Sequence, residues 1–184
     1  VQGSVYEALR KISAENLNDM NFDGMAIGGL AVGEGQEVMF NVLDFTCPLL
    51  PEDKPRYLMG VGKPVDIIGA VLRGVDMFDC VLPTRNARNG QILTSKGAIN
   101  IKNSKYADDQ SPIDESSPHP ALSKYSKAYL NHLVKANEIL GAMLCTQANL
   151  AFYLDMMEQI KKHIKQGSLE DYYEQMKQAY QNQQ

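Results

Sequence analysis

Apolar residues recur at helical spacing, with polar residues between them, in three segments of the first hundred residues. In Val5–Ile12 the apolar positions recur every three or four residues. Ser4 stands where an N-cap is expected, so this segment predicts a helix that ends near Met20. Residues 35–45 and 63–74 have the same amphipathic character and predict two further helices.

Short apolar runs lie between these helices, at residues 25–30, 55–61 and 77–82, and are typical of buried strands. Strands and helices thus alternate, which predicts a parallel sheet with helices on its faces. The sheet could be doubly wound or belong to a (β/α)8 barrel. A complete barrel takes about 250 residues, whereas the alternating pattern ends near residue 106, so only part of a barrel would be present.

The pattern changes after residue 90. Residues 91–94 and 98–101 predict the strands of a β-hairpin around a Gly-containing turn. Residues 107–123 are rich in Asp, Ser and Pro and are typical of a loop, and nearly all that follows has helical spacing. We therefore expect two domains, over residues 1–106 and 107–184.

The net charge, the cysteine positions and the length of the apolar runs disfavour several classes of protein. The net charge of -4 argues against a generally basic nucleic-acid-binding domain, although a local basic patch remains possible. Cys47, Cys80 and Cys145 form no CxxC pair, which disfavours a disulfide framework or a cysteine metal site and favours a reducing cytoplasm. No apolar run approaches the length of a membrane span. The chain opens on Val1 rather than Met, which we interpret as the start of a fragment.

Three segments follow the predicted strands, at the carboxyl ends where parallel α/β sheets form their active sites. Peptide groups of the glycine-rich first segment, Gly28–Glu34, could read a planar heterocycle; the alternative is a tight turn. In the second, Met59–Pro64, Met59 could form an apolar wall and Lys63 could reach a phosphate; the alternative is a core methionine and a solvated lysine. The third is Asp76–Arg85.

Asp79 is a carboxylate within an otherwise apolar predicted strand. Buried charge is costly unless it is paired or functional, so Asp79 is a candidate nucleophile. The structural alternative is an aspartate bonded to backbone N–H groups or to an arginine. The adjacent Cys80 should face the opposite side of the strand, which disfavours a cysteine nucleophile.

A basic stretch begins just after Asp79. Between Cys80 and Ala107 the chain has no acidic residue but five cations: Arg85, Arg88, Lys96, Lys102 and Lys105. A phosphate backbone is a natural partner for such a stretch, and the alternative is a solvated basic surface.

Three segments together resemble successive signatures of the bacterial tRNA-guanine transglycosylases: Gly28–Glu34, Tyr57–Gly62 and Asp76–Gly90. Tyr129–Leu144 is similar to the family's C-terminal helical region, so the resemblance covers essentially the whole chain. It implies the C-terminal half of a (β/α)8 TIM barrel with a β-hairpin insertion and a C-terminal helical subdomain.

The resemblance also implies a function. Family members exchange guanine at the tRNA anticodon wobble position for a queuine precursor, 7-aminomethyl-7-deazaguanine. The aspartate matching Asp79 attacks C1′ of the ribose and forms a covalent intermediate. The family's base contacts match Gln2, Gly29, Leu30 and Met59. Its anticodon-loop arginines match Arg85 and Arg88, to which we add Lys63 as a tRNA contact.

Two departures from the family pattern follow. The family's N-terminal half, which carries the general acid/base aspartate, is not in this chain, so we expect activity to require it. The family's zinc ligands, three cysteines and a histidine, match Ser117, His119, Leu122 and Ala148, of which only His119 could ligate. We expect no cofactor, and a helical subdomain held by apolar contacts of Tyr129, Leu133, Leu140, Leu144, Leu150 and Phe152.

The expected partners are the tRNA anticodon loop and a small purine-like base. The expected assembly is a homodimer or a complex with a separate N-terminal half, and no membrane is involved. The alternative function is a noncatalytic tRNA-binding or assembly module derived from the same family.

Overall fold

The computed structural model describes residues 1–115 and 117–181. The chain packs as two compact units, Val1–Val81 and a second that begins at Leu82. This division by packing falls earlier in the chain than the domain boundary expected after residue 106. The expected boundary rests on the change of sequence pattern near residue 106, and it stays a prediction.

The first unit contains a parallel sheet of three short strands, as the apolar runs predict. They are β1 (Met25–Ile27), β2 (Arg56–Leu58) and β3 (Met77–Phe78), in the order β1-β2-β3. Ala26 pairs with Tyr57, which in turn pairs with Met77. The sheet confirms the prediction of parallel strands.

Helices α1 (Glu7–Asp19), α2 (Gln36–Thr46) and α3 (Pro64–Val71) accompany the sheet. The predicted Ser4 cap is wrong: the N-cap of α1 is Tyr6, and Ser4 has a left-handed φ of +51°. The helices and strands bury Ala14, Ile27, Leu43, Leu58, Ile67 and Ile68. Complete burial of one such Leu or Ile stabilises the fold by about 1.5–3 kcal/mol.

The strand predicted over residues 77–82 is wrong in extent. Pairing stops at Phe78, and Leu82 already begins helix α4 (Leu82–Arg88). Pro83 lies in the first turn of that helix, where its missing N–H costs no hydrogen bond. Asp79 therefore lies beyond the strand.

Among its described residues, the second unit contains α4, a β-hairpin and four further α-helices. The hairpin pairs β4 (Gln91–Thr94) with β5 (Gly97–Asn100), close to the predicted positions. The helices are α5 (Pro120–Ser123), α6 (Lys127–Lys135), α7 (Ile139–Gln166) and α8 (Leu169–Gln181), and a short 3-10 helix covers Ser104–Tyr106.

Local signals set the limits of these helices. The Ser126 side chain caps α6 by accepting a hydrogen bond from the backbone N–H of Tyr129 at 3.1 Å. Gly167, with a left-handed φ of +67°, ends the 28-residue α7. Across the described ranges, no helix is both long enough and apolar enough to cross a membrane.

The apolar core of the second unit contains the fully buried amide of Asn149. Asn149 on α7 accepts a hydrogen bond from the Leu93 N–H at 2.8 Å and donates to the carbonyls of Pro83 and Gln91 at 2.9 and 3.0 Å. It thereby connects α7 with α4 and the hairpin. Of the expected core residues, Leu133, Leu144 and Phe152 are buried, but three are exposed: Tyr129, Leu140 and Leu150.

Candidate functional site

The candidate site of the first unit lies where its three strands end. Because the strands are parallel, their carboxyl ends meet at one edge of the sheet. Gly28 follows β1, Met59 follows β2 and Asp79 follows β3. The fold therefore brings the three predicted segments to a single edge of the sheet.

Asp79 is exposed at this edge, and the expectation of a carboxylate buried in a strand is wrong. Its Oδ1 accepts two hydrogen bonds, from the Tyr57 hydroxyl at 2.6 Å and from the Gly60 N–H at 2.8 Å. These two bonds hold the pKa of the Asp79 carboxyl below its ordinary value, and the bond from Tyr57 contributes more than the bond from Gly60. Asp79 is thus a solvent-accessible, ionised carboxylate.

Tyr57 is a residue of the site that the sequence reasoning missed. It lies in the middle of β2 and is half-buried, and its hydroxyl reaches across to the residue that follows β3. The bond to Asp79 raises the pKa of the Tyr57 phenol, so the proton stays on the tyrosine. The signal that could have found it is the pairing of Tyr57 with Met77, which requires the register of two strands.

Gly60, whose N–H donates to Asp79, has a left-handed backbone conformation. Its φ is +74°, in the left-handed region that glycine adopts without the penalty that other residues incur. Open space surrounds the position where a side chain would begin. Backbone conformation, rather than crowding, therefore explains the glycine at this position.

The segment after β1 forms a loop that Glu34 holds. The Glu34 carboxylate accepts hydrogen bonds from the N–H groups of Ala31 and Val32. Partial burial alone would raise the pKa of Glu34, but the backbone donors outweigh it and lower that pKa. In the part of the chain that the structure describes, the peptide groups of Gly29 and Leu30 make no hydrogen bond to protein. These groups can serve a ligand.

The Gln2 side chain lies directly against this loop. A methyl group added at Gly28 would stand 2.3 Å from Nε2 of Gln2, and one at Gly29 would stand 2.8 Å from its Oε1. Gln2 therefore lies next to Gly28 and Gly29, and Leu30 follows directly in the chain. Met59 follows β2 with 45% of its surface exposed, which excludes the alternative of a core methionine.

The three expected tRNA contacts are all exposed. Lys63 is the N-cap residue of α3 in the first unit. Arg85 and Arg88 lie in the last turn of α4 in the second unit, three residues apart and so on one side of the helix. The other cations of the basic stretch, Lys96, Lys102 and Lys105, are exposed too.

The four positions that match zinc ligands do not form a metal site. Leu122 and Ala148 belong to one apolar core cluster, with 4% and 0% of their surfaces exposed. His119 is exposed, and its backbone N–H donates to Oγ of Ser117. A structural zinc needs four ligands, so these residues do not fit one. Among the described residues, no group of three or more His, Cys, Asp or Glu could hold a metal ion.

Comparison with known proteins gives consistent matches over nearly the whole chain. The sequence model of a family described as queuine tRNA-ribosyltransferase matches residues 1–182. The queuine tRNA-ribosyltransferase of Rickettsia rickettsii (strain Sheila Smith) is 61% identical over 167 residues, which cover 91% of this chain and 46% of that protein. The same-named protein of Rickettsia akari (strain Hartford) is 58% identical over 173 residues, which cover 94% of this chain and 48% of that protein. The chain spans about half the length of these curated relatives.

Proposed function

Because the chain belongs to the queuine tRNA-ribosyltransferase family, we propose that it is the nucleophile-bearing part of a tRNA-guanine transglycosylase. The enzyme would exchange guanine at the anticodon wobble position for 7-aminomethyl-7-deazaguanine. The observation that carries this proposal is the ionised carboxylate of Asp79, held at the sheet edge by Tyr57 and Gly60. Such a group is suited to attack an electrophilic carbon.

In the first step, a carboxylate oxygen of Asp79 attacks C1′ of the ribose. The bond between C1′ and N9 of guanine breaks, and its electron pair leaves with the base, which takes up a proton. In the second step, N9 of the incoming base attacks C1′, loses its proton and expels the Asp79 carboxylate. One difficult substitution is thus divided into two easier ones.

The hydrogen bonds to Asp79 suit the second step in particular. Donors that lower the pKa of a carboxyl group make the carboxylate a weaker nucleophile but a better leaving group. The hydroxyl of Tyr57 and the N–H of Gly60 can stabilise the charge that returns to Oδ1 when the intermediate breaks down.

Base recognition is proposed for the loop after β1 and the residues around it. The amide of Gln2 offers both a donor and an acceptor, and the peptide groups of Gly29 and Leu30 provide further polar contacts. Met59 supplies an apolar surface against which a planar base can lie. For the wobble base to reach these groups, it must leave its stack in the anticodon loop.

Binding of the tRNA is proposed for the exposed cations. Arg85 and Arg88 would contact phosphates of the anticodon loop, and Lys63 would contact a further phosphate. Each such contact releases counterions, so binding by these residues should weaken as salt rises.

We further propose that the complete enzyme is a (β/α)8 barrel of which this chain supplies the C-terminal half. The general acid/base would come from the part of the relatives that this chain does not match. That part could be a separate chain, and the assembly could be a homodimer. No structural zinc is required, since the apolar core around Leu122 and Ala148 stabilises the second unit.

Covalent trapping tests the proposal. The chain is coexpressed with the N-terminal segment of the Rickettsia rickettsii relative and incubated with substrate tRNA and a base analogue. We expect a protein–tRNA adduct that survives denaturing electrophoresis. It should disappear in Asp79→Asn and persist in Asp53→Asn, a matched change at another exposed carboxylate. The full-length relative serves as the positive control, and an adduct in Asp79→Asn would refute the nucleophile assignment.

The second candidate is a noncatalytic tRNA-binding or assembly module. The apolar side chains exposed on α7, including Ile139, Met143 and Leu154, favour a partner interface on this helix. This candidate predicts salt-sensitive tRNA binding with no adduct, even when the N-terminal segment is supplied and the control enzyme reacts.

A further inference from the structure

Arg10 is a completely buried cation within α1. Its side chain has 0% of its surface exposed. Its Nε donates to the Ser4 carbonyl at 2.6 Å, and its Nη2 donates to the Gly28 carbonyl at 3.0 Å. One guanidinium therefore joins two segments of backbone that are distant in sequence.

A buried guanidinium is an expensive means of stabilising a fold. Removal of one ion from water costs several kcal/mol, and apolar residues of similar volume often stabilise a protein as well or better. In the described ranges Arg10 has no salt bridge, and its Nη1 is buried without a hydrogen-bond partner. Its two carbonyl contacts thus point to a geometric role.

Each carbonyl belongs to a segment that we assign to base binding. Ser4 lies two residues after Gln2, and Gly28 immediately precedes Gly29. The intervening Gly3, with a φ of +141°, approaches α1 so closely that an added Cβ would stand 2.7 Å from the backbone nitrogen of Arg10. Both segments therefore rest on the same point of α1.

We propose that Arg10 is a positioning residue that holds the Gln2 segment and the Gly28–Leu30 loop in register with each other. The planar fork of the guanidinium can bond both carbonyls at once, whereas a lysine ammonium at this depth offers no such fork. Arg10 itself does not contact the ligand. The ligand class, a purine-like base, rests on the proposed function, but the mechanical role does not.

Amide hydrogen exchange of the 184-residue chain tests the mechanical role. In Arg10→Met and Arg10→Lys we expect the amides of Gln2, Gly28, Ala31 and Val32 to exchange at least about tenfold faster. The control amide is that of Met59, which bonds to the Ile27 carbonyl within the sheet and should change little.

Arg56→Lys is the matched control variant. Arg56 is also buried, and it bonds carbonyls of Leu50, Pro51 and Gly74, away from the base-binding loop. It should accelerate exchange around those residues and leave the loop unchanged. If the two Arg10 variants leave the loop amides protected, or accelerate exchange equally throughout the first unit, the proposal is overturned.

Binding of free guanine, measured by titration calorimetry, separates this proposal from the proposed function. We expect Arg10→Met to weaken guanine binding by about tenfold or more, and Arg56→Lys to change it by less than about twofold. Equal losses in both variants would overturn a specific role for Arg10. If the wild-type chain binds no guanine, the proposed function of the isolated chain fails, and the exchange measurement still decides the role of Arg10.

Should both Arg10 variants fail to fold, slow exchange of the Arg10 Nε–H proton in the wild type supports the proposal, and fast exchange overturns it.

Discussion

Tyr57 donates its hydroxyl proton to the Asp79 carboxylate at 2.6 Å, across the junction of two neighbouring parallel strands. The bond shifts the two pKa values in opposite directions: it lowers that of Asp79 and raises that of Tyr57. Both shifts favour the same state, an ionised aspartate beside a neutral tyrosine. The charge on Asp79 is thus maintained by a hydrogen bond rather than by burial beside a cation.

Tyr57→Phe should raise the pKa of Asp79, because the largest cause of its depression is removed. Asp79 carries a lowered pKa in the folded chain, so its bonds stabilise the fold at neutral pH and are lost as pH falls through that pKa. In Tyr57→Phe this stabilisation should be smaller, and its loss should be complete at a higher pH. Carboxyl-carbon NMR titration of Asp79 measures the shift, and an unchanged titration would show that Gly60 alone sets the pKa. In the reconstituted enzyme, the acid limb of the exchange rate should move upward in the same direction.

Asn149→Ala should strongly destabilise the second unit. The substitution removes three hydrogen bonds and leaves the buried Leu93 N–H without its partner. An unsatisfied buried group costs about 1–3 kcal/mol, so the free energy of unfolding should fall by about 2 kcal/mol or more. Gln147→Ala, at an exposed position of the same helix, should change it by less than about 0.5 kcal/mol. Urea denaturation of the three proteins decides the matter, and equal midpoints would contradict the buried network.

Arg85→Ala combined with Arg88→Ala should weaken tRNA binding and reduce its dependence on salt. For a single-stranded loop, the slope of log K against log salt concentration should decrease in magnitude by about 0.7 for each phosphate that the protein no longer neutralises. Lys161→Ala, which removes an exposed cation of α7 paired with Glu158, is the control and should leave the slope unchanged. A weaker affinity with an unchanged slope would mean that the two arginines do not bind phosphate.

Chelator-washed protein should contain no stoichiometric zinc by elemental analysis, and its thermal midpoint should not change when zinc is added. The second unit should depend instead on its apolar core, so Leu122→Ala should cost about 2–5 kcal/mol of stability. One zinc ion per chain would overturn this prediction, as would a chelator-sensitive midpoint.

The sequence predicts the sheet and hairpin well because buried strands and tight turns leave strong local patterns. It predicts the end of β3 poorly. Cys80, Val81 and Leu82 continue the apolar run after pairing has stopped, and only the neighbouring strand determines where pairing stops. Tyr57 was missed for a related reason, because its partner is 22 residues away and the bond depends on strand register.

In the second unit, the spacing of apolar residues predicts only in part which side chains of the helices are buried. Leu133 and Leu144 are buried, but Leu140 and Leu150 are exposed. Successive residues are rotated by about 100° around a helix, so a buried face can be assigned from spacing only when the neighbouring elements are known. Long helices rich in apolar residues, such as α7, do not indicate by themselves which stripe faces the core.

Strand β3 pairs with β2 at only two positions, so the bonds that Tyr57 and Gly60 make to Asp79 also fasten the margin of the sheet. Enzymes commonly gain thermal stability when a nucleophile is replaced, since reactive groups are held at a cost to the fold. Here the relation should be reversed. Replacement of Asp79, the proposed nucleophile, should therefore loosen the edge of the sheet, and selection for stability and selection for activity would then favour the same residue.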